Sequence, residues 1–214
     1  MCASASPDRP VVFDTVVINY FLAAGEIRLL AGLFGGALSI PRVVFDPDEA
    51  DDGREEAMSE LRRGLHLHRR RSQEPDSAPD VRARSIEVLP EYEKLPELAT
   101  SGLLMVVDLS ETELGLYARL RDNAHVRQYG RVAGLGPGEA AILSLCHSRA
   151  WCPATDDTDA IAVARVLLPG VTPLRIRSLL MLAVDQGAVD AARATAIHER
   201  MKSLGFWDRE VLSF

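Results

Sequence analysis

Short apolar runs rich in β-branched residues alternate with longer helical segments along this 214-residue chain, and no other feature restricts the fold as much. Strands are predicted over 11–18, 37–44, 102–108, 150–154 and 170–172. Helices are predicted over 19–30, 48–71, 110–127, 137–147, 157–167, 173–184 and 189–204. Alternation of this kind favours an α/β fold with a mainly parallel sheet between helices. We therefore expect a three-layer α/β/α sandwich.

The pattern predicts one domain over 11–204, flanked by a disordered tail over 1–10 and a C-terminal tail over 205–214. Prolines at 75, 79, 90 and 96 predict an irregular insertion at about 72–96. The longest nearly uncharged run, 29–40, falls short of the roughly 20 residues that a membrane span requires. Three cysteines without zinc or redox spacing favour a reducing, cytoplasmic location. The net charge of −7 gives no sign of a general nucleic-acid surface.

Carboxylates follow the apolar runs or begin the helices that come after them. Asp14 follows the first predicted strand, Glu139 lies in the first turn of a helix, and Asp156 and Asp157 follow a later strand. The carboxyl ends of parallel strands lie at one edge of a sheet, where ligands bind. Acids gathered there repel one another unless a cation lies among them, and oxygen ligands suit Mg²⁺ or Mn²⁺.

Each acid also has a purely structural interpretation. Asp14 is suited to cap the following helix, and Glu139 is favoured by the helix dipole. The segment with Asp156, Asp157 and Asp159 holds more acids than capping requires, and which of the three contacts metal stays open. Asp46 ends the second predicted strand and is a secondary candidate, because it also begins an acidic run.

Several segments together resemble the PIN domain, a metal-dependent nuclease fold found in bacterial toxin ribonucleases. They are Val11-Val12-Phe13-Asp14-Thr15 with Asn19, Ile40 to Asp46, Gly138-Glu139-Ala140-Ala141-Ile142-Leu143-Ser144-Leu145, Thr155-Asp156-Asp157 followed by Ala160, and Gly170 to Leu174. The segment ending at Asp46 is similar to the one that carries the second acid of the family, usually Glu. Of the later acids, Asp157 matches the family pattern best.

The resemblance implies a metal-dependent endoribonuclease, the toxin of a toxin–antitoxin pair, which hydrolyses RNA phosphodiesters with one or two Mg²⁺ or Mn²⁺ ions. The expected catalytic residues are Asp14, Glu139, Asp156 and Asp157, with Asp46 and Asp159 as further metal ligands. Thr15, Asn19 and Thr155 are expected to orient water or a ligand. The expected partners are RNA, a cognate antitoxin protein and a second copy of the chain, without a membrane.

A basic run ending in Arg69, Arg70 and Arg71 is a weaker candidate for RNA contact, since phosphate contacts carry much of nonspecific affinity. A solvated helix end explains the same run. One alternative function is a non-catalytic PIN-like module that binds RNA or protein. Another is a phosphohydrolase of the haloacid dehalogenase type, but that family requires an acid at the position of Val16.

Overall fold

A four-stranded parallel sheet forms the centre of the molecule. The computed structural model describes residues 9–49, 58–130, 132–208 and 212. The strands are β1 (Val11–Phe13), β2 (Leu38–Pro41), β3 (Leu104–Val107) and β4 (Cys152–Ala154). Their order across the sheet is β3-β2-β1-β4, and each neighbouring pair is parallel. The expected parallel α/β architecture is therefore confirmed.

Helices cover both faces of this sheet. They are α1 (Thr15–Ala23), α2 (Ile27–Gly32), α3 (Glu60–Gln73), α4 (Pro79–Tyr92), α5 (Leu95–Thr100), α6 (Glu111–Arg121), α7 (Asn123–Val126), α8 (Pro137–Arg149), α9 (Thr158–Leu167), α10 (Ile176–Asp185) and α11 (Ala191–Ser203), with a 3-10 turn at Arg127–Tyr129. Successive side chains of a strand point to opposite faces. Phe13 accordingly packs in a core with α1, α3 and α10, whereas Val12 packs in a second core with α6, α8 and α9. Two cores on opposite faces are compatible with a three-layer α/β/α sandwich.

The first helix begins earlier than its residue types predict. β1 ends at Phe13, and α1 begins at Thr15 because Asp14 caps it, with the Thr15 N–H donating to Asp14 Oδ1 at 2.8 Å. The β-branched residues Val16, Val17 and Ile18 therefore lie in the helix, although their composition favours a strand. Burial of Val17 and Ile18 against the first core outweighs their weak preference for a strand.

The expectation of an irregular insertion at 72–96 is wrong, because α4 and α5 occupy most of this segment. Pro79 and Pro96 lie in the first turns of the two helices, where a missing N–H costs no intrahelical hydrogen bond. Pro90 lies in the last turn of α4, two residues before the helix ends. Val88 and Tyr92 of α4 pack in the first core, so this segment belongs to the domain.

Other boundaries also differ from the sequence-based prediction. The helix expected over 48–71 begins at Glu60, and its predicted part at 50–57 lies outside the described residues. In place of a strand at 170–172 there is a single parallel bridge between Ala154 and Leu174.

The predicted tails fall largely outside the described residues, which omit 1–8, 209–211, 213 and 214. Of the C-terminal tail, Phe206 packs on Tyr20 with ring centroids 4.9 Å apart. Among the described residues, no helix is both long enough and apolar enough to cross a membrane.

Candidate functional site

The strand order reverses between β1 and β4, at the point in the sheet where Asp14 and Thr155 follow their strands. The chain continues from β1 to β2 and β3 on one side, and β4 joins β1 on the other. Ligands of open parallel sheets bind outside the carboxyl ends of the strands where the order reverses. Asp14 follows β1 there and Thr155 follows β4, and the Asp14 N–H donates to the Ala154 carbonyl at 2.9 Å.

Asp14 is a buried carboxylate with a defined orientation. Its side chain accepts hydrogen bonds from the Thr15 N–H and from the Thr155 hydroxyl, each at 2.8 Å, and the residue is 1% exposed. Burial raises the pKa of Asp14 well above its ordinary value, repulsion from Glu139 and Glu60 adds to the rise, and the two hydrogen bonds offset part of it. The fold thus holds a carboxyl group where its ionised form is disfavoured.

Glu60 lies beside Asp14 and was not among the residues expected from the sequence. The Thr15 hydroxyl donates to Glu60 Oε2, and the Gly138 N–H donates to Glu60 Oε1 at 3.3 Å. Glu60 is the first residue of α3, whereas the sequence predicted a helix beginning at residue 48 and so placed it in mid-helix. Ser59 directly before it is a good helix-start residue, which is the signal that could have identified Glu60.

Gly138 in the first turn of α8 is what allows this helix to approach the acids. A Cβ atom at this position would lie 2.5 Å from Glu60 Oε2 and 2.9 Å from Asp14 Oδ1. The two carboxylates therefore flank the same point in space. Any side chain larger than that of glycine would displace at least one of them.

Glu139 and Asp157 complete the group. Glu139 Oε2 is buried and has no hydrogen-bond partner among the described residues. Burial raises the pKa of Glu139, repulsion from Asp157 and Glu60 raises it further, and backbone N–H groups of Glu139 and Gly136 offset part of the rise. Asp157 caps α9 by accepting from the Ala160 N–H at 2.7 Å, and its own N–H donates to the Thr155 hydroxyl at 3.1 Å. We call Asp14, Glu60, Glu139 and Asp157 the acid cluster.

The acid cluster has the chemistry of a hard-cation site. All its donors are carboxylate oxygens, which suit Mg²⁺ or Mn²⁺, and a divalent cation would offset the repulsion that raises the pKa of Asp14 and Glu139. The buried, unpartnered oxygen of Glu139 also fits a site built for a ligand. As the side chains stand, no group of three or more His, Cys, Asp or Glu within the described ranges is arranged to hold a metal ion. The Asp14 and Glu60 oxygens instead contact threonine hydroxyls and backbone N–H groups.

Asp156 and Asp159 make their hydrogen bonds to residues outside the acid cluster. Asp156 accepts from Arg175 Nε at 2.8 Å and from the Ile176 N–H at 2.6 Å, so it fixes the start of α10. Asp159 accepts from the Ala133 N–H at 2.8 Å and holds the loop that precedes α8. Both side chains have structural partners that account for their positions.

Asp46 and Asn19 likewise make structural contacts. Asp46 accepts from Arg42 Nη1 at 2.7 Å and from the Asp48 N–H at 3.0 Å. Asn19 Oδ1 accepts from the Tyr92 hydroxyl at 2.8 Å, which joins α1 to α4. Thr15 and Thr155, by contrast, donate directly to acids of the cluster.

The basic run lies at the opposite end of α3 from the acid cluster. Arg69 is nine residues beyond Glu60, or roughly 14 Å along the helix axis at about 1.5 Å per residue. Arg69 lies 3.4 Å from Glu93 and Arg70 lies 3.6 Å from Glu74, while Arg71 follows in the same last turn. These arginines therefore do not border the acids.

Comparison of the chain with protein-family models, with curated proteins and with solved structures found no match.

Proposed function

We propose that this protein is a metal-dependent endoribonuclease with a PIN-like fold, and that it is the toxin of a toxin–antitoxin pair. The observation that carries the nuclease part is the acid cluster, because Glu60, Glu139 and Asp157 gather near buried Asp14, and repulsion between neighbouring acids raises the pKa of Asp14 and of Glu139. Within the PIN resemblance, Glu60 rather than Asp46 takes the place of the second acid. The toxin role rests on the resemblance alone.

Asp14, Glu60, Glu139 and Asp157 would hold one or two Mg²⁺ or Mn²⁺ ions. When bound, such ions supply the positive charge that activates water and stabilises a phosphate during hydrolysis. The chain itself supplies orientation: Thr155 fixes Asp14 Oδ2, and Thr15 fixes Glu60 Oε2. Gly138 leaves the space between Asp14 and Glu60 open. Neither a serine nor a cysteine nucleophile is required by this chemistry.

A direct test incubates the purified chain with labelled single-stranded and structured RNAs in Mn²⁺, in Mg²⁺ and in chelator. Asp14→Asn and Glu60→Gln keep the shape of each side chain and remove its charge. We expect cleavage that requires the metal and that falls by at least about 100-fold in both variants, which is the usual scale for loss of a group that stabilises the transition state.

Asp190→Asn is the matched control. Asp190 is an exposed cap of α11, as Asp14 is the cap of α1, and asparagine caps a helix about as well as aspartate. Its cleavage rate should equal that of the wild type. Absence of cleavage on every RNA, with the wild type and Asp14→Asn binding RNA equally, would refute the nuclease and favour the non-catalytic binding module.

A further inference from the structure

A cleft of about 520 Å³ opens beside the acid cluster, and we call it the side cleft. It lies between the start of α3, the carboxyl ends of β2 and β3, and helix α6. Two of its lining residues, Ser59 and Pro137, directly precede Glu60 and Gly138. The side cleft therefore adjoins the acid cluster at the starts of α3 and α8.

Several side chains in the lining of the side cleft are apolar or aromatic, among them Met58, Leu109, Leu114 and Tyr117. Leu114 is 49% exposed, and Tyr117 of the same helix is half-buried, so both side chains are within reach of a ligand in the side cleft. A cleft lined by apolar side chains together with a few polar groups is typical of sites for small organic groups.

The acids that line the side cleft are already paired, in contrast to those of the acid cluster. Arg42 donates to Asp46 at 2.7 Å and to Asp108 at 2.6 Å. Glu49 accepts from the Ser59 N–H at 2.9 Å. Arg63 also lines the side cleft, so the lining holds two arginines and three acids and carries little net charge, which suits a neutral polar ligand better than a phosphate.

The Ser59 hydroxyl provides an independent observation. Ser59 is 5% exposed, and its Oγ is buried with no hydrogen-bond partner among the described residues. It begins α3 but does not cap that helix through its side chain. A buried hydroxyl without a partner is costly, so a ligand that offers a hydroxyl group at this position gains a hydrogen bond that the free protein lacks.

We propose that the side cleft binds the base and the ribose of the nucleotide next to the cleaved phosphodiester. Tyr117 stacks on the base, and the Ser59 hydroxyl pairs with the ribose 2′-hydroxyl, the group that distinguishes RNA from DNA. The proposal deepens the proposed nuclease function and rests on it for the position of the phosphate. The side cleft would therefore select ribonucleotides over deoxyribonucleotides.

The test uses nucleosides, which are uncharged and so avoid the repulsion of the acid cluster. The full chain in chelator is titrated with ribonucleosides and with 2′-deoxyribonucleosides, and binding is followed by NMR. We expect ribonucleosides to bind more tightly than 2′-deoxyribonucleosides. Tyr117→Leu should lose roughly tenfold in nucleoside affinity, and Tyr117→Phe should retain the wild-type affinity. Ser59→Ala should bind the two kinds of nucleoside equally. Ile86→Ala, an exposed apolar residue on α4, is the control and should bind as the wild type does.

Cleavage of RNA by the same variants separates this proposal from the proposed function. We expect Tyr117→Leu to raise KM by roughly tenfold, the same loss as in nucleoside affinity, while kcat changes little. The side-cleft proposal would be overturned if folded Tyr117→Leu and Ser59→Ala kept the wild-type nucleoside affinity and the wild-type KM. The proposed nuclease would then stand, and the side cleft would be a candidate site for a protein partner instead. Metal-dependent cleavage that is absent from the wild type, despite the expected nucleoside binding, would instead count against the nuclease alone.

Discussion

Gly138→Ala adds one methyl group between two acids, and the structure predicts that it disables the site while every carboxylate remains. The new Cβ would lie 2.5 Å from Glu60 Oε2, 2.9 Å from Asp14 Oδ1 and 3.1 Å from Thr15 Oγ1, where ordinary contact begins at 3.4 Å. Glu60 is the group that must move furthest, by about 1 Å, and a displacement of about 1 Å in a reacting site costs roughly 100-fold in rate. We therefore expect kcat/KM for metal-dependent RNA cleavage to fall by about that factor.

The stability of the same variant is set by two opposing contributions. Replacing glycine by alanine inside a helix favours the helix by about 1 kcal/mol, whereas crowding a packed site costs about 1–3 kcal/mol. The free energy of unfolding should therefore be unchanged or lower by up to about 2 kcal/mol.

Gly115→Ala is the control, because Gly115 lies inside α6 with open space around it. It should raise the free energy of unfolding by about 1 kcal/mol and leave cleavage unchanged. Urea denaturation and RNA cleavage would be measured for both variants. If Gly138→Ala cleaved RNA at the wild-type rate and gained as much stability as Gly115→Ala, the close approach of α8 to the acids would be refuted.

Three further predictions concern stability. Because burial and neighbouring acids raise the pKa of Asp14, the folded chain binds that proton more tightly than the unfolded chain. Without a divalent cation, the free energy of unfolding should therefore fall as pH rises above 3.8, the ordinary pKa of Asp. Asp14→Asn should make the free energy of unfolding depend less steeply on pH in denaturation series at several pH values. The same steepness in the wild type and the variant would contradict this prediction. Arg149 donates to buried Glu113 at 2.7 and 2.8 Å and, together with hydrogen bonds from Ser110, lowers the pKa of Glu113 to about 2. These contacts stabilise the fold above about pH 4.5, and the stabilisation is lost as pH falls through about 2. Arg149→Met should cost up to about 3 kcal/mol near pH 7 and much less at pH 2, as measured by urea denaturation; a pH-independent cost would count against the ion pair. Ala150 directly follows α8 and has a φ of 55°, a conformation that disfavours alanine. Ala150→Gly should therefore raise Tm by a few degrees in a calorimetric scan, and a lower Tm would refute the strain.

The fold class followed from local patterns, whereas several boundaries did not. Short apolar runs alternating with helical segments sufficed for the parallel α/β architecture, because periodicity is encoded in neighbouring residues. The same reasoning misassigned Val16, Val17 and Ile18 to a strand and α4 to a loop. In both segments the structure is decided by contacts with distant parts of the chain, which neighbouring residues in the sequence do not reveal. Val17 and Ile18 are buried in the first core, and α4 packs against α3.

The candidate site, like the fold, could be predicted from the sequence only in part. The sequence by itself determined that Asp14, Glu139 and Asp157 lie where strands end or helices begin, because capping and the carboxyl ends of parallel strands are local properties of the pattern. Only the tertiary structure decided which acids meet. It directs Asp46 to Arg42 and brings Glu60 to Gly138, 78 residues away, through a hydrogen bond. The physical reason is that the position of a carboxylate along the chain fixes its backbone environment, but the packing of α3 and α8 against the sheet fixes its neighbours.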